Sequence, residues 1–270
     1  MLMSWVLYAT VVSTGFFLMT RLITLILFLS LFSGCALFKD KKNEETEAEA
    51  SKSAEKLFDE GASAMGLKNY TTAIETFETL ESRYPFGVYA QQAQLEIAYA
   101  YYKQGEADAS IAAADQFIKL NPRHQNVDYA YYLKGLADYH RHDGFFDRFI
   151  KRDVSSMDPA PLENAFLQFK QLIERFPNSR YAKDSHQRMI YLRNLLANHE
   201  IKVAEYYQYR HAWAAVAKRA SYVIQHYQGS DAVPEALTIL ADAYDKLGME
   251  TAKSETLKIL AHNFPSENKN

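Results

Sequence analysis

A motif of about 34 residues that recurs along the chain constrains the fold more than any other feature. In its clearest copy, residues 54–85, Gly61 takes the small position of a first helix. Ala73 and Phe77 begin an apolar stripe with helical spacing on a second helix, and Pro85 ends that helix. A single helix pair cannot bury its own apolar face, so the motif predicts further copies that stack against it.

Further copies end at Pro122, Pro177 and Pro265, and a less regular copy occupies residues 198–229. Several copies in consistent phase favour a genuine repeat over an all-α protein that mimics one by chance. The pattern is that of tetratricopeptide repeats. It predicts an all-α, tetratricopeptide-like helical repeat solenoid of about five helix pairs, with about ten helices over residues 54–264 and no sheet. The small and apolar positions of the frame should then be mostly buried: Ala73, Phe77, Ala98, Ala165, Phe169, Ala204, Ala241 and Leu257.

Residues 1–34 have the layout of a signal peptide and are expected to be removed from the mature protein. Arg21 supplies a positive charge, residues 22–34 form an apolar run that ends in small residues, and Cys35 follows. A cysteine directly after such a run resembles the signal of a bacterial lipoprotein. We therefore predict that Cys35 is the mature N-terminus and carries lipid, the alternative being a free buried thiol.

The start of the signal is a separate question. Met19 would begin a compact signal with its charge in the right place, which predicts that translation starts there. The alternative is one long membrane-spanning helix over residues 5–31, interrupted by Arg21. A charge in mid-span costs roughly 3 kcal/mol on insertion scales, which disfavours that alternative.

The residue after the lipidated cysteine predicts the membrane. In Gram-negative lipoproteins that residue sorts the protein, and Asp retains it at the inner membrane. Ala36 therefore implies the outer membrane, facing the periplasm. Residues 35–53 are charged and poor in apolar side chains, which predicts a flexible tether. The repeat domain would then occupy residues 54–265, followed by a polar tail at 266–270.

Composition and motifs argue against catalysis, cofactors and nucleic acid. The formal net charge of −3 is weakly acidic, which disfavours nucleic acid as the main partner. Cys35 is the only cysteine, so no intrachain disulfide or cysteine-based metal site can form. Residues 199–203 begin like a zinc-protease motif, but Val203 stands where the second histidine must be. No phosphate-binding loop is present, and His140, His142 and Asp143 fit a solvated loop better than a metal site. The chain is therefore predicted to be neither an enzyme nor a metal or cofactor protein.

An insertion at residues 140–160 separates the helices of the third pair. A connection of this length between repeat helices is uncommon and is usually functional or disordered. Phe145, Phe146 and Phe149 make it too apolar for a disordered segment. Two interpretations stay open: a lid packed on its own repeat, or an element that binds a partner. Asp158 should cap the helix that follows.

Several stretches of the chain together resemble the BamD (ComL) family, lipoprotein subunits of the machine that assembles β-barrels in the outer membrane. The resemblance covers the chain from Cys35 onward and weakens in the insertion, the tether and the last repeat. It is carried by RYPFG at 83–87, AYAYYK at 98–103, LNP at 120–122, FPNS at 176–179, VAEYY at 203–207, and by Ala212, Trp213, Ala215, Val216 and Arg219.

The resemblance implies a scaffold under the outer membrane. Its partners would be a BamA-like barrel-forming subunit, a BamC-like companion lipoprotein and unfolded outer-membrane proteins. In the family the C-terminal repeats are associated with the barrel subunit and the N-terminal repeats with substrate. The alternative function is a periplasmic repeat lipoprotein that serves pilus assembly or cell-envelope division, while an envelope hydrolase is disfavoured by the motif search.

Six residues are candidate contacts. Arg219 is the best match for a charged contact to the barrel subunit, with Arg210 and Trp213 nearby. Tryptophan in a repeat helix is more often core, and Arg219 could instead be solvated or paired within the chain. If Arg219 faces solvent, Arg219→Glu should leave the fold intact. Tyr101, Tyr102 and Lys103 end a helix that is expected to face the concave side, where an extended peptide would bind.

Overall fold

The computed structural model describes residues 39–141 and 158–265, and within these ranges the regular structure is entirely helical. This confirms the predicted all-α fold class. The ten helices are α1 (Lys39–Gly66), α2 (Tyr70–Arg83), α3 (Val88–Gln104), α4 (Ala107–Leu120), α5 (Val127–Tyr139), α6 (Ala160–Arg175), α7 (Ala182–Tyr209), α8 (Trp213–His226), α9 (Val233–Lys246) and α10 (Glu250–Asn263).

Each helix from α2 onward packs against the next one along the chain. The odd-numbered helices are the first helices of the five predicted pairs, and the even-numbered helices are the second. In addition, α3 contacts α5, and α7 contacts α9. First helices of successive pairs therefore meet directly, and their outward side chains form one face of the repeat domain. We call this the first-helix face.

Two glycines explain how closely the helices of a pair approach. A Cβ built on Gly61 would lie 2.5 Å from the ring of Phe77, and one on Gly135 would lie 2.6 Å from the ring of Phe169. Since real Cβ atoms do not come this close to another atom, the two phenylalanines require glycine opposite them. The frame identified Gly61, Phe77 and Phe169, but it did not identify Gly135.

The four short turns within pairs share one backbone conformation. Lys68 (φ 60°), Gly105 (φ 83°), His211 (φ 55°) and Gly248 (φ 71°) all adopt the left-handed region that ends many helices. In each turn the next residue's N–H donates back to the carbonyl five residues earlier, as Glu106 does to Tyr101. Glycine occupies this position in two of the turns, at Gly105 and Gly248, whereas Lys68 and His211 adopt the same conformation at a cost.

Seven of the eight predicted core positions are buried: Ala73, Phe77, Ala98, Ala165, Phe169, Ala204 and Ala241. The prediction for Leu257 is wrong, because its side chain is 41% exposed. Helix α10 buries Thr256 and Leu260 instead. The second helices α4, α6 and α8 pack between two helices. Helix α2 packs on α3 and on the end of α1, whereas α10 packs on α9 alone in the described part of the chain. A helix with one neighbour buries a narrower stripe, and Leu257 lies outside it.

Helix α1 begins at Lys39, well before the expected start of the repeat domain at Ala54. The segment is rich in Lys, Glu and Ala, which are strong helix formers that need no burial. The chain divides into two compact units at Lys56, inside this helix, and the repeats are described here from Leu57 on. The predicted signal, Cys35, most of the insertion and the polar tail lie outside the described residues.

The insertion is described only at its two ends. On its C-terminal side, the backbone N–H of Ala160 donates to the Asp158 carboxylate at 3.1 Å, which confirms the predicted cap of α6. On its N-terminal side, Arg141 bridges Asp108 and the buried Asp138, each at 2.8 Å. This ion-pair network fixes the end of α5 against α4. Among the described helices, none combines the length and the apolar composition that a membrane crossing requires.

Candidate partner-binding surfaces

The turn between α7 and α8 presents an arginine among aromatic side chains. Arg210 is exposed, and its guanidinium donates to the Tyr206 hydroxyl at 3.4 Å. Trp213 is half-buried against the core of the last two pairs. Tyr206 and Tyr209 are 56% and 83% exposed, and the sequence did not single them out. Their spacing of three residues at a helix end was the available signal, because it places both rings on one side of the helix.

Arg219 is paired within the chain. Its Nη1 donates to both carboxylate oxygens of Glu200, at 2.9 and 3.3 Å, across the α7–α8 contact. The Glu200 side chain is only 11% exposed, and that of Arg219 is 40% exposed. The hydrogen bond to Glu200 raises the pKa of Arg219 above its ordinary value. Arg219 is therefore paired within the chain, and the expectation that it is a free solvent-facing position is wrong.

Tyr101, Tyr102 and Lys103 do not form one site. Tyr101 lies toward α2 and α4, where burial and then the neighbouring Glu78 raise its pKa. Tyr102 lies on the opposite side of α3, with its ring 6.2 Å from Tyr99. Lys103 is exposed. Adjacent residues on a helix point about 100° apart, so the expected common orientation could not hold for all three.

Tyr101 belongs to a groove between the second helices α2 and α4. Glu78 and Glu81 line one wall, and the floor consists of small and apolar side chains that include Ile97 and three alanines. Burial raises the pKa of Glu81, partly offset by a hydrogen bond with Gln94. A groove with an apolar floor and one acidic wall suits an extended chain that carries apolar and basic side chains. We call it the α2–α4 groove.

Tyr102 belongs to a group of aromatic side chains on the first-helix face. The Tyr129 and Tyr181 rings are 5.3 Å apart, and those of Tyr132 and Tyr181 stack at 4.6 Å. The Tyr132 hydroxyl donates to Asp184 at 2.6 Å, which raises the tyrosine's pKa to about 12 in combination with burial, the larger cause. We call Tyr99, Tyr102, Tyr129, Tyr132 and Tyr181 the tyrosine cluster.

The described residues bring no three His, Cys, Asp or Glu side chains together in a way that could hold a metal ion. Of the three residues considered from the sequence, His140 caps α5, and its ring is 4.9 Å from that of Tyr139. His142 and Asp143 lie outside the described residues.

The chain matches the model of a known protein family along most of its length. The family is YfiO, outer membrane lipoprotein, and the match covers residues 50–259. The chain belongs to this family. The YfiO match includes the α2–α4 groove, the tyrosine cluster, and the Arg219–Glu200 pair.

Relatives of known name agree with the YfiO assignment. A protein from Neisseria meningitidis serogroup B (strain ATCC BAA-335 / MC58) is 43% identical over 213 residues, covering 79% of this chain and 80% of the relative. One from Vibrio cholerae serotype O1 is 34% identical over 238 residues, covering 88% of this chain and 96% of the relative. Both are named outer membrane protein assembly factor BamD. The resemblance to the BamD family is thus confirmed.

Similar solved structures include a repeat protein from Podosopora anserina described as having TPR-like repeats. It is 10% identical, with a TM-score of 0.39, and the match covers 77% of this chain and 92% of that protein.

Proposed function

We infer that this chain is an outer membrane protein assembly factor that works as a scaffold and not as an enzyme. The observation that carries this conclusion is the match to relatives of that name over most of both lengths. Stacked helix pairs support it, because they present side chains in register for binding. The names of the relatives favour this function over a scaffold for pilus assembly or envelope division.

Depletion of the protein in its own host tests this function. We expect folded β-barrel proteins to decline in the outer membrane and to return when the wild-type gene is restored. Heat-modifiable mobility on gels measures the folded barrels directly. Normal barrel levels after depletion, with defects in pili or in division instead, would overturn the assignment.

The protein is proposed to be anchored in the outer membrane by lipid on Cys35, facing the periplasm. Several acyl chains would make the anchor effectively permanent, since each buried methylene contributes about 0.8 kcal/mol. Cys35→Ser should therefore leave the protein soluble or held in the inner membrane. Fractionation of the envelope, with mass spectrometry of the N-terminal peptide, checks this. Unchanged outer-membrane fractionation of the variant would refute the anchor.

The C-terminal pairs are proposed to bind the barrel-forming subunit through the turn between α7 and α8. Exposed aromatic and arginine side chains are enriched at interface hot spots, and Arg210, Tyr206 and Tyr209 provide them here. Trp213 packs against the core at the start of α8. Arg219 is bound to Glu200, and only the exposed 40% of its side chain is open to a partner. Arg219 is thus a weaker candidate for a direct contact than Arg210.

A charge reversal at Arg210 tests this surface. Arg210→Glu should weaken co-purification of the barrel subunit about tenfold and leave the thermal midpoint unchanged, because the side chain is exposed. Arg123→Glu is the matched control, since Arg123 is equally classed as exposed but lies in the turn between α4 and α5. Equal recovery of the subunit by both variants would place the interface elsewhere.

The N-terminal pairs are proposed to bind unfolded barrel proteins, and a BamC-like companion lipoprotein is proposed as a further partner. The support is the α2–α4 groove, whose shape, apolar floor and single acidic wall suit an extended chain. A photo-crosslinking residue in place of Gln116, which lines this groove, should capture unfolded barrel protein. The same residue in place of Lys258 on α10 is the control and should capture none.

A further inference from the structure

Glu96 is a half-buried carboxylate that the described part of the chain leaves without a partner. It lies on α3 and points to the first-helix side, near Tyr129 of α5. Burial alone raises its pKa, and no hydrogen bond or nearby cation lowers it again. A carboxylate in this position is costly, because its charged form loses water without gaining a compensating group.

Tyrosines of two neighbouring helices lie beside this carboxylate. Tyr99 lies one turn further along α3, and Tyr129 faces it from α5. The pKa of Tyr129 is raised first by burial and then by the nearby Tyr99, Tyr181 and Glu96. The site is therefore one carboxylate within a wall of aromatic rings, and that wall is part of the tyrosine cluster.

The next stretch of the same face contains the same arrangement with an arginine in it. Arg188 of α7 donates to Asp184 at 2.6 Å, and its guanidinium lies 4.8 Å from the centre of the Tyr139 ring. The Asp184 carboxylate also accepts from the Tyr132 hydroxyl. Here the chain supplies its own guanidinium between a carboxylate and a tyrosine ring. Arg180 reaches the edge of the tyrosine cluster, where its guanidinium lies 4.8 Å from the centre of the Tyr181 ring and donates to the Tyr181 hydroxyl. The Glu96 carboxylate itself receives no arginine from the described residues.

We propose that Glu96, Tyr99 and Tyr129 bind the guanidinium of an arginine in an extended polypeptide. A planar guanidinium can fork onto a carboxylate and stack on an aromatic face at the same time, which lysine does less well. The rings are already held by one another and by the Asp184–Arg188 pair, so the site is formed before the ligand arrives. The inference deepens and rests on the proposed binding of unfolded barrel proteins.

Paired peptides test the site on the purified full-length protein. The probe is a fluorescent twelve-residue peptide of Ser, Thr and Val with one central arginine, compared with the same peptide carrying citrulline. Citrulline keeps the shape of arginine and removes its charge. Fluorescence anisotropy should show the arginine peptide binding about fivefold more tightly to the wild type.

Three variants localise that preference. Glu96→Gln should reduce the arginine-to-citrulline ratio to about one, and Tyr129→Leu should reduce it partly. Glu235→Gln is the matched control, because it removes the same charge from an exposed carboxylate on α9 that belongs neither to the tyrosine cluster nor to the α2–α4 groove. It should keep the wild-type ratio. Circular dichroism confirms that each variant is folded.

The outcomes separate this site from the proposed function. Equal binding of both peptides by the wild type, or an unchanged ratio in Glu96→Gln, would overturn the site. Capture of unfolded barrel protein is measured in parallel on the wild type. If capture persists while the ratio is one, only the arginine site fails; if the wild type captures no barrel protein, the proposed substrate binding fails as well.

Discussion

Two carboxylates lie on first helices but differ in their surroundings. They are Glu200 in the fourth pair and Glu96 in the second. Glu200 is almost fully buried and receives the guanidinium of Arg219 from the neighbouring helix. Glu96 is half-buried among tyrosines and receives none from the described residues. Stacking of the helices therefore buries an acidic side chain at both places, but only Glu200 receives a compensating positive charge from within the fold.

The consequence for function follows from the cost of a buried charge. Once Arg219 neutralises Glu200, the arginine belongs to the fold, and its loss is felt as stability before it is felt as binding. The charged form of Glu96 is destabilised by burial in the isolated protein, and a bound cation would stabilise it. Arg219, which the sequence suggested as a binding residue, is thus largely structural. Glu96, which the sequence did not single out, is the better candidate for a ligand contact.

The largest expected effect comes from reversing the charge of Arg219. Arg219→Glu would place two carboxylates together at a site where Glu200 is 11% exposed. We expect a loss of about 2 kcal/mol in the free energy of unfolding, at the low end for breaking a buried pair because Arg219 itself is 40% exposed. Urea unfolding followed by circular dichroism measures it.

The control for that experiment is Arg210→Glu, which changes the same charge at an exposed position. It should alter the free energy of unfolding by less than about 0.5 kcal/mol. An Arg219→Glu variant as stable as Arg210→Glu would show that Glu200 finds compensation elsewhere, and the contrast with Glu96 would then be lost.

The next largest effect is the coupling free energy between Arg219 and Glu200. Arg219→Met, Glu200→Gln and the double variant form a double-mutant cycle. We expect a coupling free energy of about 1 kcal/mol, with the double variant more stable than the sum of the single changes predicts. Additive single changes would mean that the 2.9 Å contact contributes no stability of its own.

The helix pairs could be predicted from the sequence because their signals are local. Ala73 and Phe77 are four residues apart on one helix, so their spacing alone places them on one side. The same holds for the turn at Gly105, whose left-handed backbone favours glycine. Leu257 failed because burial at that position depends on a further neighbouring helix, and the frame contains no information on which helix comes last.

The candidate sites could be predicted less well because their partners are distant in sequence. Glu200 and Arg219 lie 19 residues apart on different helices, so their contact depends on how α7 and α8 are rotated. Tyr129 and Tyr181 meet only because two pairs stack. The composition carries only a weak signal, an abundance of tyrosine, which core packing alone would also explain.

A smaller effect is expected from neutralising Glu96. Because its folded-state pKa is raised, the folded protein holds the proton more tightly than the unfolded chain does. Wild-type stability therefore falls as the pH rises from about 4.5, the ordinary value for glutamate, through the raised pKa. Glu96→Gln should match the wild type near pH 4 and exceed it modestly at pH 7, as measured by thermal midpoints. A lower midpoint for the variant at pH 7 would show that the charged form of Glu96 stabilises the fold.

The smallest effect on stability is expected from giving Glu96 an arginine partner within the chain, as Glu200 has in Arg219. Gln92 is exposed on α3 and lies four residues before Glu96, so Gln92→Arg places a guanidinium within reach on the same side of the helix. Such a pair contributes only about 0.3 kcal/mol, because the arginine comes first and lies near the N-terminus of the helix.

The effect of Gln92→Arg on binding should be larger than its effect on stability, since an arginine of the chain would occupy the place proposed for an arginine of the ligand. The variant should therefore lose most of its preference for the arginine peptide over the citrulline peptide while its thermal midpoint rises slightly. Gln92→Lys at the same position should block the preference less, because lysine lacks the planar fork. A Gln92→Arg variant that still prefers the arginine peptide as strongly as the wild type does would separate the preference from Glu96.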